Sequence, residues 1–295
     1  MDEVETPSGK GAGHENFPVG SWLLPAASRP HVMAFYAFVR AADDVADNPA
    51  LEPRDKLRRL DLFERALLGE EEALTALPKA KALRDSLAVT GVTDRHALDL
   101  LSAFRQDAEK RRYDDWQDLM SYCARSASPV GRFLLDLHGE NQSLHRLSDA
   151  LCDALQLLNH LQDCKDDYQE LDRVYLPLDH FVDAGIDPSA LLEPIAGQAM
   201  RGLLDRALDR TDDLLRVSAD LPRKLTRHRL AAETAVVQEM AVTLSSMLRQ
   251  EDPLAGRVSL SKARFAFTAA KGLGRLQWLR RGEVDQPTLG SGALE

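Results

Sequence analysis

Apolar side chains recur every three to four positions along almost every ordered-looking stretch of this chain. That is the period of an amphipathic helix, and no stretch sustains the apolar–polar alternation with β-branched residues that marks a half-buried strand. The pattern predicts an all-α, single-domain helical bundle with helices near 30–47, 54–68, 79–89, 94–111, 115–126, 129–139, 145–170, 178–184, 194–218, 223–251 and 261–281. Breakers fall between them: Pro49 and Pro53, Pro78, Gly91, Pro129, Gly139, Pro177, Gly185 with Pro188, Pro222, and Pro253 with Gly256. The polar or Gly-rich ends, 1–13 and 283–295, read as flexible tails around one ordered domain of 14–282.

Two segments carry acids in places that an apolar pattern does not explain. Met33 to Asp47 reads MAFYAFVRAADDVAD, with polar groups confined to Tyr36, Arg40, Asp43, Asp44 and Asp47. On a helix, positions 36, 40, 43 and 47 stack on one face while Phe35, Phe38, Val39, Ala42, Val45 and Ala46 fill the rest. Carboxylates at i and i+4 repel in water, and a hard divalent cation such as Mg²⁺ removes that penalty. The plainer reading is a helix end with its acids on the wet face. The apolar surroundings favour acids that line an internal cavity.

The second segment, Leu151 to Tyr168, reads LCDALQLLNHLQDCKDDY. Asn159, Asp163 and Asp167 stand at i, i+4 and i+8 beside a leucine stripe, so three oxygen ligands project from successive turns. Alone this is an ordinary amphipathic surface. Two such combs, about 115 residues apart in an all-helical chain, argue for Mg²⁺ ions holding a diphosphate between facing helices.

Composition narrows the function further. Lys+Arg number 37 against 47 Asp+Glu, and the formal net charge of -10 repels a nucleic-acid backbone. Mean hydropathy is -0.31, and no apolar run approaches the roughly 20 residues of a spanning helix. The first residues lack the basic and apolar regions of a secretory signal, so the cytoplasm is the expected location. Cys123, Cys152 and Cys164 form no CxxC pair and read as reduced packing residues. Between Leu254 and Gly282 the chain holds Arg257, Lys262, Arg264, Lys271, Arg275, Arg280 and Arg281 and no acid. This stretch reads first as a last core helix with some bases toward the diphosphate and others solvated. The second reading is an amphipathic helix on the inner face of an anionic membrane, a peripheral contact.

An ordered set of motifs resembles the squalene and phytoene synthase family: LLP at 23–25, FYAFVRAADDVAD at 35–47, YC at 122–123 followed by PVG at 129–131, LQLLNHLQDCKDD at 155–167, and RVYLP at 173–177. The resemblance implies an isoprenoid-synthase bundle with a central apolar cavity. It implies Mg²⁺ as cofactor, on Asp43, Asp44 and Asp47 from one motif and Asn159, Asp163 and Asp167 from the other. Arg40 and Arg173 match positions that meet phosphate oxygens, with Asn16 and Gln162 as further diphosphate contacts. Tyr122 matches a reaction-chamber tyrosine that orients a proton or faces a carbocation, with a buried core tyrosine as the other reading. Tunnel lining is expected from Phe35, Phe38, Tyr122, Leu134, Leu155 and Leu158, with ordinary core packing as the first reading at each.

Three departures choose a branch. ENFPVGSW at 15–22 replaces a serine-rich stretch, Gln162 stands where many members have arginine, and SASPVG at 126–131 replaces a glycine-rich stretch. The combination is similar to the bacterial hydroxysqualene synthase branch of hopanoid biosynthesis. That similarity implies presqualene diphosphate as substrate, supplied by a separate presqualene diphosphate synthase as functional partner. The implied reaction is ionisation, cation rearrangement and capture by water, a lyase-type outcome catalysed through Asp43, Asp163 and Tyr122. Head-to-head condensation to presqualene diphosphate, squalene or phytoene is the alternative within the class. A non-catalytic helical assembly factor is the alternative outside it, disfavoured by the intact aspartates.

Overall fold

The computed structural model describes residues 4–7, 9, 21 and 23–284. Fourteen α-helices order them: α1 Arg29–Ala46, α2 Pro53–Leu68, α3 Glu71–Ala76, α4 Pro78–Thr90, α5 Arg95–Glu109, α6 Trp116–Ser126, α7 Ser128–Leu137, α8 His145–Gln162, α9 Cys164–Leu171, α10 Leu178–Ala184, α11 Gln198–Ser218, α12 Leu221–Lys224, α13 His228–Gln250 and α14 Lys262–Val284. The one β-type pairing among the described residues is an isolated parallel bridge between Arg112 and Val174. Asn16, most of the 15–22 stretch and the end from 285 lie outside the described residues.

The prolines read as breakers do more than end helices. Pro53, Pro78, Pro129 and Pro222 occupy the first turns of α2, α4, α7 and α12, where a missing N–H removes no intrahelical bond. The single helix expected at 145–170 is two, α8 and α9, joined at Asp163 (φ -104°, ψ 6°). The one expected at 223–251 divides into α12 and α13, and a short α3 fills a span expected to be loop.

The core has two main bodies. Helices α1, α2, α4 and α5 enclose one, built on Phe38, Leu60, Phe63, Leu83 and Leu101. Helices α8, α11 and α13 enclose the other, built on Leu158, Leu161, Leu204, Leu208 and Leu244. Helix α7 stands at the seam and contributes Phe133 to the first and Leu135 to the second. A third, smaller cluster stacks Tyr113, Tyr122 and Tyr175. Residues 4–7, expected within a flexible tail, lie against the first body. The Val4 carbonyl accepts from Arg59 (2.9 Å), Thr6 donates to the Asp44 carbonyl (3.2 Å), and Glu5 pairs with Lys79 (2.5 Å).

Helix α14 packs its Gly272 side on α13. A Cβ at Gly272 would lie 2.6 Å from the Ala235 carbonyl oxygen, so the glycine is what permits this approach. Glu239 of α13 is 2% exposed and meets Lys271 at 2.5 Å and Arg275 at 3.7 Å. These two bases therefore serve the helix pair and not a diphosphate. The far side of α14 presents Phe267 and Trp278, both more than two-thirds exposed. Replacing Gly272 by Ala should cost about 1–3 kcal/mol in a urea titration, the usual price of overpacking. Gly274→Ala, with nothing within 4 Å, should instead leave stability unchanged or raise it by up to about 1 kcal/mol through helix propensity.

Candidate active site

The last two turns of α1 gather the first acid stripe. Arg40 reaches forward along its own helix, with Nη1 3.2 Å from Asp43 and Nη2 2.7 Å from Asp44. Asp44 is buried, and its pairing with Arg40 offsets the cost of placing a charge there. Asp43 is less well compensated. Desolvation, then the charge of Asp47, hold its carboxyl well above the usual carboxylate range, against the pull of Arg40. Lys56 of α2 donates to the Ala46 carbonyl (2.7 Å) and so closes the C-terminus of α1, where a cation is favoured.

Arg173 crosses from the second half of the chain to meet this stripe. Its backbone is set by Asp172, whose left-handed conformation (φ 49°, ψ 38°) ends α9. A non-glycine residue there needs support. Arg112 supplies it, pairing with the Asp172 carboxylate at 2.5 Å and also donating to the Asp172 carbonyl. The turn sends Arg173 inward, 5% exposed. Its Nη1 donates to Asp47 (2.9 Å) and Tyr175 (3.0 Å), and its Nη2 donates to the Asp107 carbonyl (3.0 Å). Burial opposes the charge, but Tyr175, Asp107 and Asp47 outweigh it and keep the guanidinium protonated.

Asp107 was not singled out by the sequence reading. It projects from α5 and accepts a hydrogen bond from the Tyr122 hydroxyl (2.7 Å). Burial pushes its pKa up to about 7 against the pull of Arg173. The available signal was an acid in register with Leu100, Ala103 and Phe104 on the apolar face of α5. His160 was missed too. It stacks on Tyr175 with ring centroids 3.5 Å apart, and burial lowers its pKa to about 3, so it stays neutral.

The second stripe is bent at the α8–α9 joint, yet its spacing survives. The Asp163 N–H donates to the Asn159 carbonyl (3.0 Å) and the Asp167 N–H to the Asp163 carbonyl (2.8 Å), so i to i+4 bonds run through the bend. Asp163 pairs with Arg257 (3.2 Å). Asp167 is raised to about 8, first by burial, then by Asp163, with Arg173 opposing and Asp47 adding. Arg173 and Asp47 thus both act on Asp167. Arg173 links the two stripes, its guanidinium on Asp47 and its backbone N–H donating to the Asp167 carbonyl (3.0 Å).

Beside them opens a cavity of about 270 Å³ at the seam between the two core bodies. Phe35 and Phe133, stacked at 4.0 Å, form part of its wall with Leu134, Leu151 and Leu155, and Tyr36 and Asn159 link it to the acid stripes. Gly131 also lines it. A Cβ there would lie 2.2 Å from the Ser148 hydroxyl, so the close α7–α8 approach keeps its glycine despite Ser128 and Pro129 upstream. Ser128 instead donates to buried Asp153 (2.9 Å).

Three expected lining residues lie elsewhere. Phe38 packs edge-on against Phe63, Leu158 is in the second core body, and Tyr122 points to Asp107 among Tyr113 and Tyr175. Gln162, expected to contact diphosphate, is buried and donates to the Val258 carbonyl (2.5 Å), tying α8 to the segment before α14.

The acids fit a hard divalent cation. Among the described residues no three Asp, Glu, His or Cys side chains converge on one point. Mg²⁺ needs no such cage, because it binds through one or two carboxylates with phosphate oxygens and water completing the octahedron. Asp43, Asp107 and Asp167 all hold protons more tightly than free carboxylic acids do, and Asp107 Oδ1 is buried without a hydrogen-bond partner. Negative charge is in excess of what Arg40 and Arg173 neutralise.

The model of the squalene/phytoene synthase family matches residues 11–264. The chain is 44% identical to the hydroxysqualene synthase of Rhodopseudomonas palustris over 265 residues, covering 90% of both chains. It is 43% identical to the hydroxysqualene synthase of Zymomonas mobilis over 270 residues, again covering 90% of each. Among solved structures it is similar to squalene synthase HpnC from Alicyclobacillus acidocaldarius, with a TM-score of 0.70 and 32% identity over 81% of this chain and 89% of that one. An all-α bundle with two acid stripes at the mouth of an apolar cavity, matched to the family over most of its length, belongs to the squalene/phytoene synthase family.

Proposed function

We propose that the chain is a hydroxysqualene synthase that converts presqualene diphosphate and water to hydroxysqualene and diphosphate. The observation that carries this reading is Arg173 linking the two acid stripes, through Asp47 and the Asp167 carbonyl, beside an apolar cavity in a chain aligned over 90% of its length with hydroxysqualene synthases. The diphosphate lies at the polar end and the C30 hydrocarbon in the cavity.

Asp43, Asp47, Asn159, Asp163 and Asp167 would hold Mg²⁺, with Asp44 acting mainly to keep Arg40 in place. When bound, the metal supplies positive charge against the leaving diphosphate. Arg173 adds a permanent charge whose position is fixed before substrate arrives, so it needs no reorganisation as the C–O bond breaks. Phe35, Phe133 and their leucine neighbours exclude bulk water, which lets the cyclopropylcarbinyl cation rearrange to an allylic cation before capture. Tyr122 braces Asp107 and through it the Arg173 hub. Presqualene diphosphate comes from a separate synthase.

No helix among the described residues is long and apolar enough to cross a membrane. The exposed Phe267 and Trp278 of α14 offer apolar rings that suit the surface of a bilayer.

Asp163→Ala should lower turnover of presqualene diphosphate by about 10²–10³-fold or more, the size of losing one preorganised charge-stabilising element, with circular dichroism nearly unchanged. Retained activity would overturn the metal assignment. Protons compete with cations for carboxylates. Because Asp167 is raised to about 8 it is protonated below that pH, and Mg²⁺ affinity should weaken as pH falls from about 8 to about 6, by at most about tenfold per pH unit for that proton, with the raised Asp43 acting in the same direction. Titration calorimetry giving a flat profile would remove these two carboxyls from the ligand set. For the bilayer contact, Phe267→Ser with Trp278→Ser should abolish co-sedimentation with phosphatidylglycerol vesicles, and equal sedimentation of both proteins would exclude it.

A further inference from the structure

The cavity contains one carboxyl where hydrocarbon is expected. Glu233 stands on the second turn of α13, 6% exposed, and lines the cavity beside Thr234 and Val237. The Ser21 hydroxyl donates to its Oε2. Burial raises its pKa above the ordinary glutamate value, with the Ser21 hydrogen bond acting the other way. Its hydrogen bond goes to Ser21 and not to a member of the acid–arginine cluster.

A buried carboxyl in an apolar wall is costly, and one hydrogen bond from Ser21 offsets only part of that cost. The other polar groups on the wall are Tyr36, Ser148, Cys152, Asn159 and Thr234. Thr234 donates to the Leu230 carbonyl (2.9 Å), and burial lifts the Cys152 thiol to about 12, so it keeps its proton. Neutral hydroxyls and an amide are not bases near pH 7. Among the described lining residues, Glu233 is therefore the group able to take up a proton there.

We infer that Glu233 is the base that directs the capturing water in the hydroxysqualene synthase reaction, with Ser21 holding its carboxylate in place. The assignment rests on the function proposed above. In this step a lone pair of the water oxygen forms the C–O bond to the allylic cation, and one O–H bond breaks, its proton passing to a Glu233 oxygen. The diphosphate has already departed with the electron pair of the original C–O bond. Glu233 later returns the proton to solvent, so the sum is presqualene diphosphate plus water giving hydroxysqualene, diphosphate and one proton. A cation in the cavity favours the ionised carboxylate that this step requires.

The test incubates wild type and Glu233→Gln with Mg²⁺ and presqualene diphosphate, measuring diphosphate release and the product mixture by mass spectrometry. Glu233→Gln should release diphosphate within about fivefold of the wild-type rate while hydroxysqualene falls at least about tenfold as a share of product, a factor equal to 1.4 kcal/mol of partitioning. Hydrocarbons formed by proton loss, or alcohols captured at another carbon, should replace it. Glu233→Asp should restore part of the share. A wild-type product mixture from Glu233→Gln would overturn the assignment, as would loss of diphosphate release in a variant that melts like wild type. If Glu233→Gln does not fold, Ser21→Ala decides: a reduced hydroxysqualene share supports the assignment and an unchanged share overturns it. Wild-type protein that leaves presqualene diphosphate untouched would defeat the proposed function itself, a result separable from failure of Glu233 alone.

Discussion

Arg173 carries its charge where little water reaches it, and the catalytic end of the bundle is organised around that fact. A buried guanidinium must be matched by acceptors on several sides or it destabilises the fold. Asp47 comes from the end of α1, Asp107 from α5 and Tyr175 from the segment after α9, so satisfying one side chain pulls three distant parts of the sequence together. The acids that surround it then exceed the positive charge available. Burial first, and like charges such as Asp47 and Asp163 after it, raise their proton affinities, and a divalent cation would relieve the repulsion among them.

Local backbone features explain why the matching is so specific. Asp172 adopts a left-handed conformation because Arg112 grips both its carboxylate and its carbonyl, and the following residue is thereby aimed inward. The break between α8 and α9 falls at Asp163, which shifts this carboxylate off a straight helical row while its backbone bonds keep the spacing to Asn159 and Asp167. Neither feature has a strong signature in sequence. Left-handed aspartates are uncommon, and a helix break without Pro or Gly leaves the periodic pattern intact.

That contrast marks what the sequence made legible. The helical class and the two acid stripes could be read because periodicity and charge placement are local properties of the chain. Asp107 was overlooked because a lone acid among apolar neighbours resembles a wet-face residue until its partner, about 66 positions away, is known. Gln162 shows the opposite case. It stands in a motif expected to bind diphosphate, and its amide donates to the Val258 carbonyl, a contact that depends on how α8 meets the segment before α14. Tyr122, expected as a reaction-chamber or buried core tyrosine, is buried with its hydroxyl on Asp107, because α6 faces the tyrosine cluster and not the cavity.

The division between a charged end and an apolar seam also constrains the chemistry. Ionisation demands concentrated positive charge near the leaving group, whereas rearrangement of a carbocation demands walls that neither donate electrons nor admit water. The two requirements conflict if mixed, and the bundle separates them. Acids and arginines lie at the helix ends, while Phe35, Phe133 and the leucines line the interior between the two core bodies. A reaction ending in water capture then needs one polar group inside the apolar region, placed so that it does not pair with the arginines. Glu233, on the cavity wall and bonded to Ser21, meets that condition. Because it lies on α13, a helix apart from both acid stripes, the choice of quench can vary without disturbing the ionising machinery. One fold can thereby release the same leaving group and still direct the cation to different products.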